Sequence, residues 1–281
     1  MSVLRTLSDS PFARRRGGEV VASIPASADA RRVLLALAPA VALLVCSLPF
    51  GPIAQPLSYH HFHDTRGFLG VPNFLDVLSN LPFGIIGVLG MRWLLAEASS
   101  MPAHLRRAYL AMFAGVALTS AGSAYYHWAP SNGSIVWDRL PIAMAFMGLF
   151  AGFLTERLRL GATASGWLLA GLLAYGAGSV LYWTAVDDLR PYVVVQIYPI
   201  LALPILLWLT PAPYTRGADW MVALGAYVVA KVLEEGDGMV FAASGYVSGH
   251  TLKHLAAAAG AWWVFRMLRR RIPLEGLARG S

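Results

Sequence analysis

Residues 120–138 read SAGSAYYHWAPSNGSIVWD, and this stretch joins two apolar runs at a polar corner. Ser123 and His127 stand four residues apart, which places both side chains on one face of a helix. A turn containing proline, asparagine and glycine follows, and such a turn can fold Asp138 back towards that face. The stretch therefore predicts two helices joined by a turn, with a serine, a histidine and an aspartate close together.

The composition around this corner is typical of a membrane protein. The chain has 281 residues, of which 57% are hydrophobic and 13% are charged, with a mean hydropathy of +0.57. Soluble domains usually carry about 25% charged residues. The sequence therefore predicts an all-α fold, a polytopic membrane helical bundle.

Apolar runs of roughly 20 residues, the length that crosses a bilayer, set the predicted organisation. Eight spans are expected, near residues 33–50, 74–96, 107–128, 136–155, 163–184, 193–211, 218–233 and 248–268. Residues 1–30 are rich in arginine and poor in large apolar side chains, which is typical of a disordered basic arm. The transmembrane domain is expected over residues 31–272, and residues 273–281 form a cytoplasmic tail.

The distribution of charge predicts an orientation. Most arginines between the spans fall on the side of the N-terminal arm, whereas acidic residues dominate the opposite side. The positive-inside rule then places both termini in the cytoplasm and favours the cell (inner) membrane. The same rule explains the formal net charge of +7, so we expect no nucleic-acid partner. Cys46 is the single cysteine, which excludes a zinc site built from several cysteines.

A second histidine pair at helical spacing, His250 and His254 in SGHTLKHLAAA, is expected at the same membrane depth as His127. Three neutral imidazoles can hold zinc with a fourth position open, and zinc lowers the pKa of water to about 7. Asp138 could then accept the proton of that water, while the Ser123 hydroxyl hydrogen-bonds the oxyanion formed from an amide carbonyl. Ionisable residues within membrane spans are usually functional, which favours this interpretation over simple packing.

Taken together, these motifs resemble those of the alkaline ceramidase family, within the superfamily that includes the adiponectin-receptor-like proteins. The resemblance covers residues 60–270, and it includes the pair Ser79 and Asn80 on an early span as supporting residues. It implies a seven-span core, to which this chain adds one N-terminal span. It also implies a membrane hydrolase that cleaves the amide of a ceramide-like lipid substrate, reached from the outer leaflet, into a fatty acid and a long-chain base.

For the site, the resemblance implies zinc on His127, His250 and His254, with Ser123 and Asp138 beside the attacking water. The family also has an acidic calcium segment before its first span.

The equivalent stretch here, residues 59–76, reads YHHFHDTRGFLGVPNFLD and departs from the family pattern. Asp64, Asn73 and Asp76 supply oxygen atoms of the kind that bind Ca²⁺, so calcium is a second candidate cofactor.

The same loop offers a rival metal site, because His60, His61 and His63 cluster beside Asp64. A solvated interfacial turn would have the same composition.

Near the end of the seventh span, Lys231, Glu234 and Asp237 stand at helical spacing, which predicts an ion-pair ladder or a contact with a lipid headgroup. Lys253 could meet an acidic group nearby.

Two other function classes remain open from the sequence. One is an adiponectin-receptor-like receptor or sensor, in which the metal site is structural or weakly hydrolytic. The other is a transporter that uses the histidines as a relay. A relay needs polar residues that continue to the inner leaflet, and the third, fourth and eighth spans carry few there.

Overall fold

The computed structural model describes residues 26–274, and its regular structure there is helical, without β-strands. The helices in chain order are α1 (Ala26–Ser47), α2 (Phe74–Leu78), α3 (Leu81–Ala96), α4 (Ala103–Trp128), α5 (Ile135–Arg157), α6 (Ala162–Val186), α7 (Arg190–Leu209), α8 (Asp219–Glu235), α9 (Asp237–Ser244) and α10 (Gly249–Arg270). The predicted all-α polytopic bundle is confirmed.

The eight predicted spans all coincide with helices, although not all of these are equally apolar. Among the described residues, six helical segments are long and apolar enough to cross a membrane: α1, α2 with α3, α4, α5, α6 and α7. The helix α8 has only 17 residues, and α10 carries two histidines and a lysine in its first turns. Six of the eight predicted spans are therefore confirmed as long, apolar helices. The predicted orientation of the termini stays a prediction.

The N-terminal helix α1 is peripheral, since only 6% of its apolar window is buried. It packs on α6 and α7, where the Tyr198 hydroxyl donates to the carbonyl of Ala36. The Asp29 carboxylate accepts from the Gly161 backbone nitrogen at 3.0 Å. Because α1 begins at Ala26, the last residues of the predicted basic arm are helical, and the rest of that arm lies outside the described residues.

The helical hairpin of α4 and α5 forms the centre of the bundle. Small residues let the two backbones touch: a Cβ at Gly115 would overlap the backbone of Ala145, and one at Gly122 would overlap the carbonyl of Trp137. Close approach through glycine is a common way of packing membrane helices. It fixes the register of the hairpin at the corner that carries the polar residues.

The second span is interrupted between α2 and α3. Ser79 ends α2, Asn80 precedes α3, and Pro82 occupies the first turn of α3, where its missing N–H is not needed. The interruption turns both polar residues into the interior, where they are buried. They lie at the same end of the bundle as the corner between α4 and α5 and the start of α10.

The opposite end of the bundle carries a buried ion pair. Arg271, just after α10, donates from Nη1 to Glu156 Oε2 on α5 at 2.9 Å, and the Tyr109 hydroxyl donates to Glu156 Oε1 at 2.6 Å. This pair ties the C-terminal end of α10 to the central hairpin.

Candidate metal centre

Three histidine side chains converge in the interior of the bundle. His127 lies in the last turn of α4, whereas His250 and His254 lie in the first turns of α10. Their candidate ligand nitrogens all lie within 4.8 Å of one another, and all three residues are buried. The structure thus brings together the three histidines that the sequence grouped as metal ligands.

The spacing of these nitrogens fits a metal ion. His127 Nε2 and His250 Nε2 are 3.3 Å apart. Two imidazole nitrogens bound tetrahedrally to one zinc, each about 2.0–2.1 Å from the ion, are separated by roughly 3.3 Å. Within residues 26–274, no other group of three or more His, Cys, Asp and Glu residues has such convergence. Imidazole suits zinc, copper, iron and nickel, so the geometry supports a transition-metal triad in general.

The residues at the break between α2 and α3 hold one of the imidazoles. Ser79 Oγ donates to the backbone carbonyl of Asp76 at 3.0 Å and lies 2.7 Å from His254 Nδ1. Since a hydroxyl has one hydrogen, the second bond must be donated by His254 Nδ1–H, which leaves Nε2 unprotonated and free to bind a metal. Asn80 Nδ2 donates to the same Asp76 carbonyl at 2.7 Å and so stiffens the break.

An aromatic ring from the loop before α2 covers the triad. The ring centroid of Phe62 lies 4.7 Å from that of His127 and 4.8 Å from that of His250. Sequence reasoning missed this residue because it stands inside a histidine-rich stretch. In the structure Phe62 and Asp64 are buried while the intervening histidine is exposed. The sequence signal was the single apolar side chain within HHFHD.

Asp237 joins the same loop to α10. Its Oδ1 accepts from the backbone nitrogen of His250 at 2.8 Å, and its Oδ2 lies 2.9 Å from His63 Nδ1. The predicted ladder of Lys231, Glu234 and Asp237 is therefore wrong in its last member. The chain breaks at Gly236 between α8 and α9, so the helical register that places the first two residues together does not extend to Asp237.

The α4–α5 hairpin brings both residues of the predicted catalytic pair to one cavity. Ser123 on α4 is buried, and it lines the same cavity as Asp138 on α5. The overlap that a Cβ at Gly122 would cause with Trp137 shows how closely the two helices approach beside this pair. Asp138 Oδ1 has no hydrogen-bond partner among the described residues, so one carboxylate oxygen is free to act on a bound molecule.

A cavity of about 520 Å³ begins at this cluster and continues between α5, α7, α8 and α10. Its polar lining includes Ser123, Asp138, Arg139, Glu234, Lys253 and His254. Its apolar walls include Phe146, Ile200, Leu203, Leu224 and Val264. The cavity therefore has a polar region at the candidate metal centre and an apolar region deeper in the bundle.

Two lysines share one carboxylate in the polar region. Glu234 on α8 accepts from Lys253 on α10 at 2.6 Å and also pairs with Lys231 one helical turn away. The Tyr59 hydroxyl donates to the same carboxylate at 2.9 Å. The pairing of Lys231 with Glu234 and the meeting of Lys253 with an acidic group are as predicted. The sequence did not predict that Glu234 would pair with lysines from both α8 and α10.

The three calcium candidates have separate partners. Asp64 forms an ion pair with Arg66 at 2.7 Å, and this hydrogen bond lowers the pKa of the Asp64 carboxyl. Asn73 donates to the carbonyl of His127 at 2.8 Å. Asp76 Oδ1 accepts from the hydroxyl of Thr251 at 2.6 Å, which connects α2 to the first turn of α10. These contacts give the three residues bracing roles, and calcium stays a prediction.

The rival histidine cluster does not converge. His60 contacts the Tyr126 hydroxyl at 2.9 Å and Asn132 at 2.8 Å, and His63 points to Asp237. His61 is exposed. The side chains of these neighbouring loop residues point in different directions. The imidazoles of His60 and His63 therefore bind the loop to different parts of the bundle and do not form a shared metal site.

A scan against protein-family models found no match to this chain, and a search of curated proteins found none either.

Proposed function

We propose that this protein is a metal-dependent membrane amidohydrolase that cleaves the N-acyl amide of a lipid, with zinc as the metal. The observation that carries the proposal is the triad His127, His250 and His254, of which His254 lines a partly apolar cavity. An amide lipid has the matching division into a polar amide and an apolar chain. The resemblance of the motifs to alkaline ceramidases makes ceramide-like sphingolipids the first substrates to test.

The cavity supports a lipid substrate on grounds of size and lining. Its volume of about 520 Å³ falls in the usual range of small-molecule sites, and its deeper walls are aliphatic and aromatic. A single acyl chain would bury apolar surface there at about 25 cal/mol per Å². The amide would then lie beside Ser123 and Asp138.

When bound, zinc acts as a Lewis acid and lowers the pKa of water enough to supply a nucleophile near neutral pH. Asp138 is placed to take the proton of the attacking water on its unpartnered Oδ1. Water attack forms the new C–O bond, and the C–N bond then breaks as the same carboxyl returns the proton to the leaving nitrogen. The products are a fatty acid and an amine.

Ser123 is the candidate donor to the oxyanion. It lines the same cavity as Asp138, and its hydroxyl has one hydrogen. That hydrogen can be donated to the developing oxyanion while Asp138 Oδ1 holds the proton of the attacking water.

The test is metal analysis and hydrolysis in the same samples of detergent-purified protein. The wild type is compared with His250→Ala and with His104→Ala, which makes the same change in the first turn of α4, far from the triad. We expect about one zinc per chain and release of fatty acid from a fluorescent N-acyl sphingosine. Both should be lost in His250→Ala and retained in His104→Ala.

Other outcomes count against the proposal in different ways. Zinc that is lost in His250→Ala, without turnover of any amide lipid, would favour a receptor or sensor with a structural metal. Equal metal content in the wild type and His250→Ala would overturn the metal centre itself.

A further inference from the structure

Arg139 is a buried cation without an acidic partner. It lies on α5, one residue after Asp138, and lines the cavity with only 7% of its surface exposed. None of the ion pairs within the described residues includes it. Its Nη1 atom is buried and has no hydrogen-bond partner there.

The surroundings of Arg139 orient the guanidinium without neutralising it. Its Nη2 donates to Gln55 Oε1 in the loop after α1. The guanidinium carbon lies 4.3 Å from the ring centroid of Trp183 and 5.1 Å from that of Tyr192. Two aromatic rings and an amide fix the plane of the group, so the unpartnered Nη1 is held in one place.

The other charges of the cavity do not supply the missing anion. Glu234 is already shared by Lys231 and Lys253. Within the described residues, no ion pair joins Arg139 to Asp138, the next residue on the same helix. With Lys231, Lys253 and Arg139 against Glu234 and Asp138, the cavity lining has one positive charge in excess.

An unpaired buried charge is costly, and in a membrane protein such a group commonly marks a ligand site. Guanidinium binds carboxylate, sulfonate and phosphate by paired, charge-assisted hydrogen bonds. We infer that Arg139 binds an acidic headgroup, so that the preferred substrates are lipids in which a short anionic amine is N-acylated, such as N-acyl amino acids. This inference rests on the proposed amidohydrolase function and names its substrate class.

The position of Arg139 also limits the length of the headgroup. Asp138 and Arg139 both line the cavity from consecutive positions of α5, whose Cα atoms are about 3.8 Å apart. A headgroup of a few atoms can join an amide at Asp138 to an anion at Arg139. The neutral diol of a ceramide offers no charge to this guanidinium.

The experiment compares two substrates that differ in charge and little else, N-oleoylglycine and N-oleoylglycinamide, by release of oleate. We expect kcat/KM of the wild type to favour the acid by about 10–100-fold, the range of one hydrogen-bonded charge. In Arg139→Gln this ratio should fall to near one, and Arg139→Lys should retain part of it. The control Arg92→Gln, at an exposed arginine on α3, should keep the wild-type ratio.

Folding and binding are measured separately from turnover. Size-exclusion profile and zinc content report whether Arg139→Gln is folded. Binding of N-oleoylglycine and N-oleoylglycinamide is followed by calorimetry in His250→Ala, with and without Arg139→Gln, so that it does not depend on hydrolysis. Selective binding of the acid that is lost with Arg139→Gln supports the anion site, even if no amide is hydrolysed and the proposed function fails. Equal binding of the acid and the amide overturns the inference, as does a kcat/KM ratio that is unchanged in folded Arg139→Gln. Hydrolysis of ceramide would still leave the proposed function standing in either case.

Discussion

The Ser79 Oγ atom lies 2.7 Å from His254 Nδ1, so a residue at the break between α2 and α3 orients an imidazole on α10. The serine hydrogen is donated to the Asp76 carbonyl, and His254 must therefore donate from Nδ1. Its Nε2 is left to face the other two imidazoles. A candidate metal ligand is thus oriented by a hydroxyl 175 residues away in the chain.

Removal of this hydroxyl should weaken metal binding. In Ser79→Ala, His254 loses the partner that holds its ring and its tautomer, and loss of such supporting contacts usually lowers metal affinity by about 10–100-fold. Competition with a fluorescent zinc chelator measures the change. Ser179→Ala is the matched control, because that hydroxyl is also buried but donates to the Gly176 carbonyl within α6. Equal zinc affinity in Ser79→Ala and Ser179→Ala would contradict the supporting role.

Gly122 should be intolerant of a methyl group. A Cβ there would overlap the carbonyl of Trp137, which forces α4 and α5 apart beside Ser123 and Asp138. We expect Gly122→Ala to cost about 1–3 kcal/mol of stability, as overpacking usually does. A Cβ added at Gly178 on α6 has no atom within 4 Å, so Gly178→Ala should raise stability by up to about 1 kcal/mol. Thermal unfolding of the two variants in detergent compares them directly, and a Gly122→Ala midpoint at or above that of Gly178→Ala would refute the close contact.

Much of this arrangement was accessible from the sequence. The length of the apolar runs predicted where the helices lie, because a bilayer span has a fixed length. The four-residue spacings of Ser123 with His127 and of His250 with His254 predicted shared helical faces, and the turn between α4 and α5 predicted the approach of Asp138. Local patterns carried these predictions, since each depends on residues close together in the chain.

The remainder depends on tertiary contacts that no local pattern encodes. Asp237 serves His63 and His250 because the chain breaks after α8, which helical periodicity does not foresee. Phe62 covers the triad only because the loop before α2 folds over it. That Arg139 forms no ion pair within the described residues is likewise visible only from the tertiary contacts.

Asp188, in the turn between α6 and α7, should make stability depend on acid pH. Its carboxylate pairs with Arg190 at 2.7 Å and accepts from the Ile53 backbone, and these bonds lower its pKa to about 2. A carboxyl whose pKa is depressed by folding stabilises the protein above its unfolded pKa of about 3.9 and loses that contribution as pH falls towards 2. The window of change is therefore about pH 4 to 2.

The variant Asp188→Asn tests this assignment. It should be less stable than the wild type by roughly 1–3 kcal/mol at pH 7, and the difference should vanish near pH 2. Thermal unfolding between pH 2 and 7 in a nonionic detergent measures both. Glu97→Gln, at an exposed carboxylate, should follow the wild-type pH profile. A difference between Asp188→Asn and the wild type that persists unchanged at pH 2 would assign the effect to packing.

Glu234 should contribute far more to the stability of the protein than a surface carboxylate does. It is the shared counter-ion of Lys231 and Lys253 between α8 and α10. Glu234→Gln leaves two ammonium groups without a partner, and breaking a buried pair in this way typically costs 3–5 kcal/mol. Lys231 is 43% exposed, which reduces the expected loss to about 2–4 kcal/mol.

The contrast is Arg269→Gln, which removes an ion pair of 3.9 Å with exposed Glu97 and should change stability by no more than about 0.5 kcal/mol. Denaturation by SDS in mixed micelles gives both values. Adding Lys253→Met to Glu234→Gln should recover part of the loss, because it removes the more deeply buried of the two uncompensated charges. If the double variant is less stable than Glu234→Gln alone, Lys253 stabilises the bundle through contacts other than its ion pair.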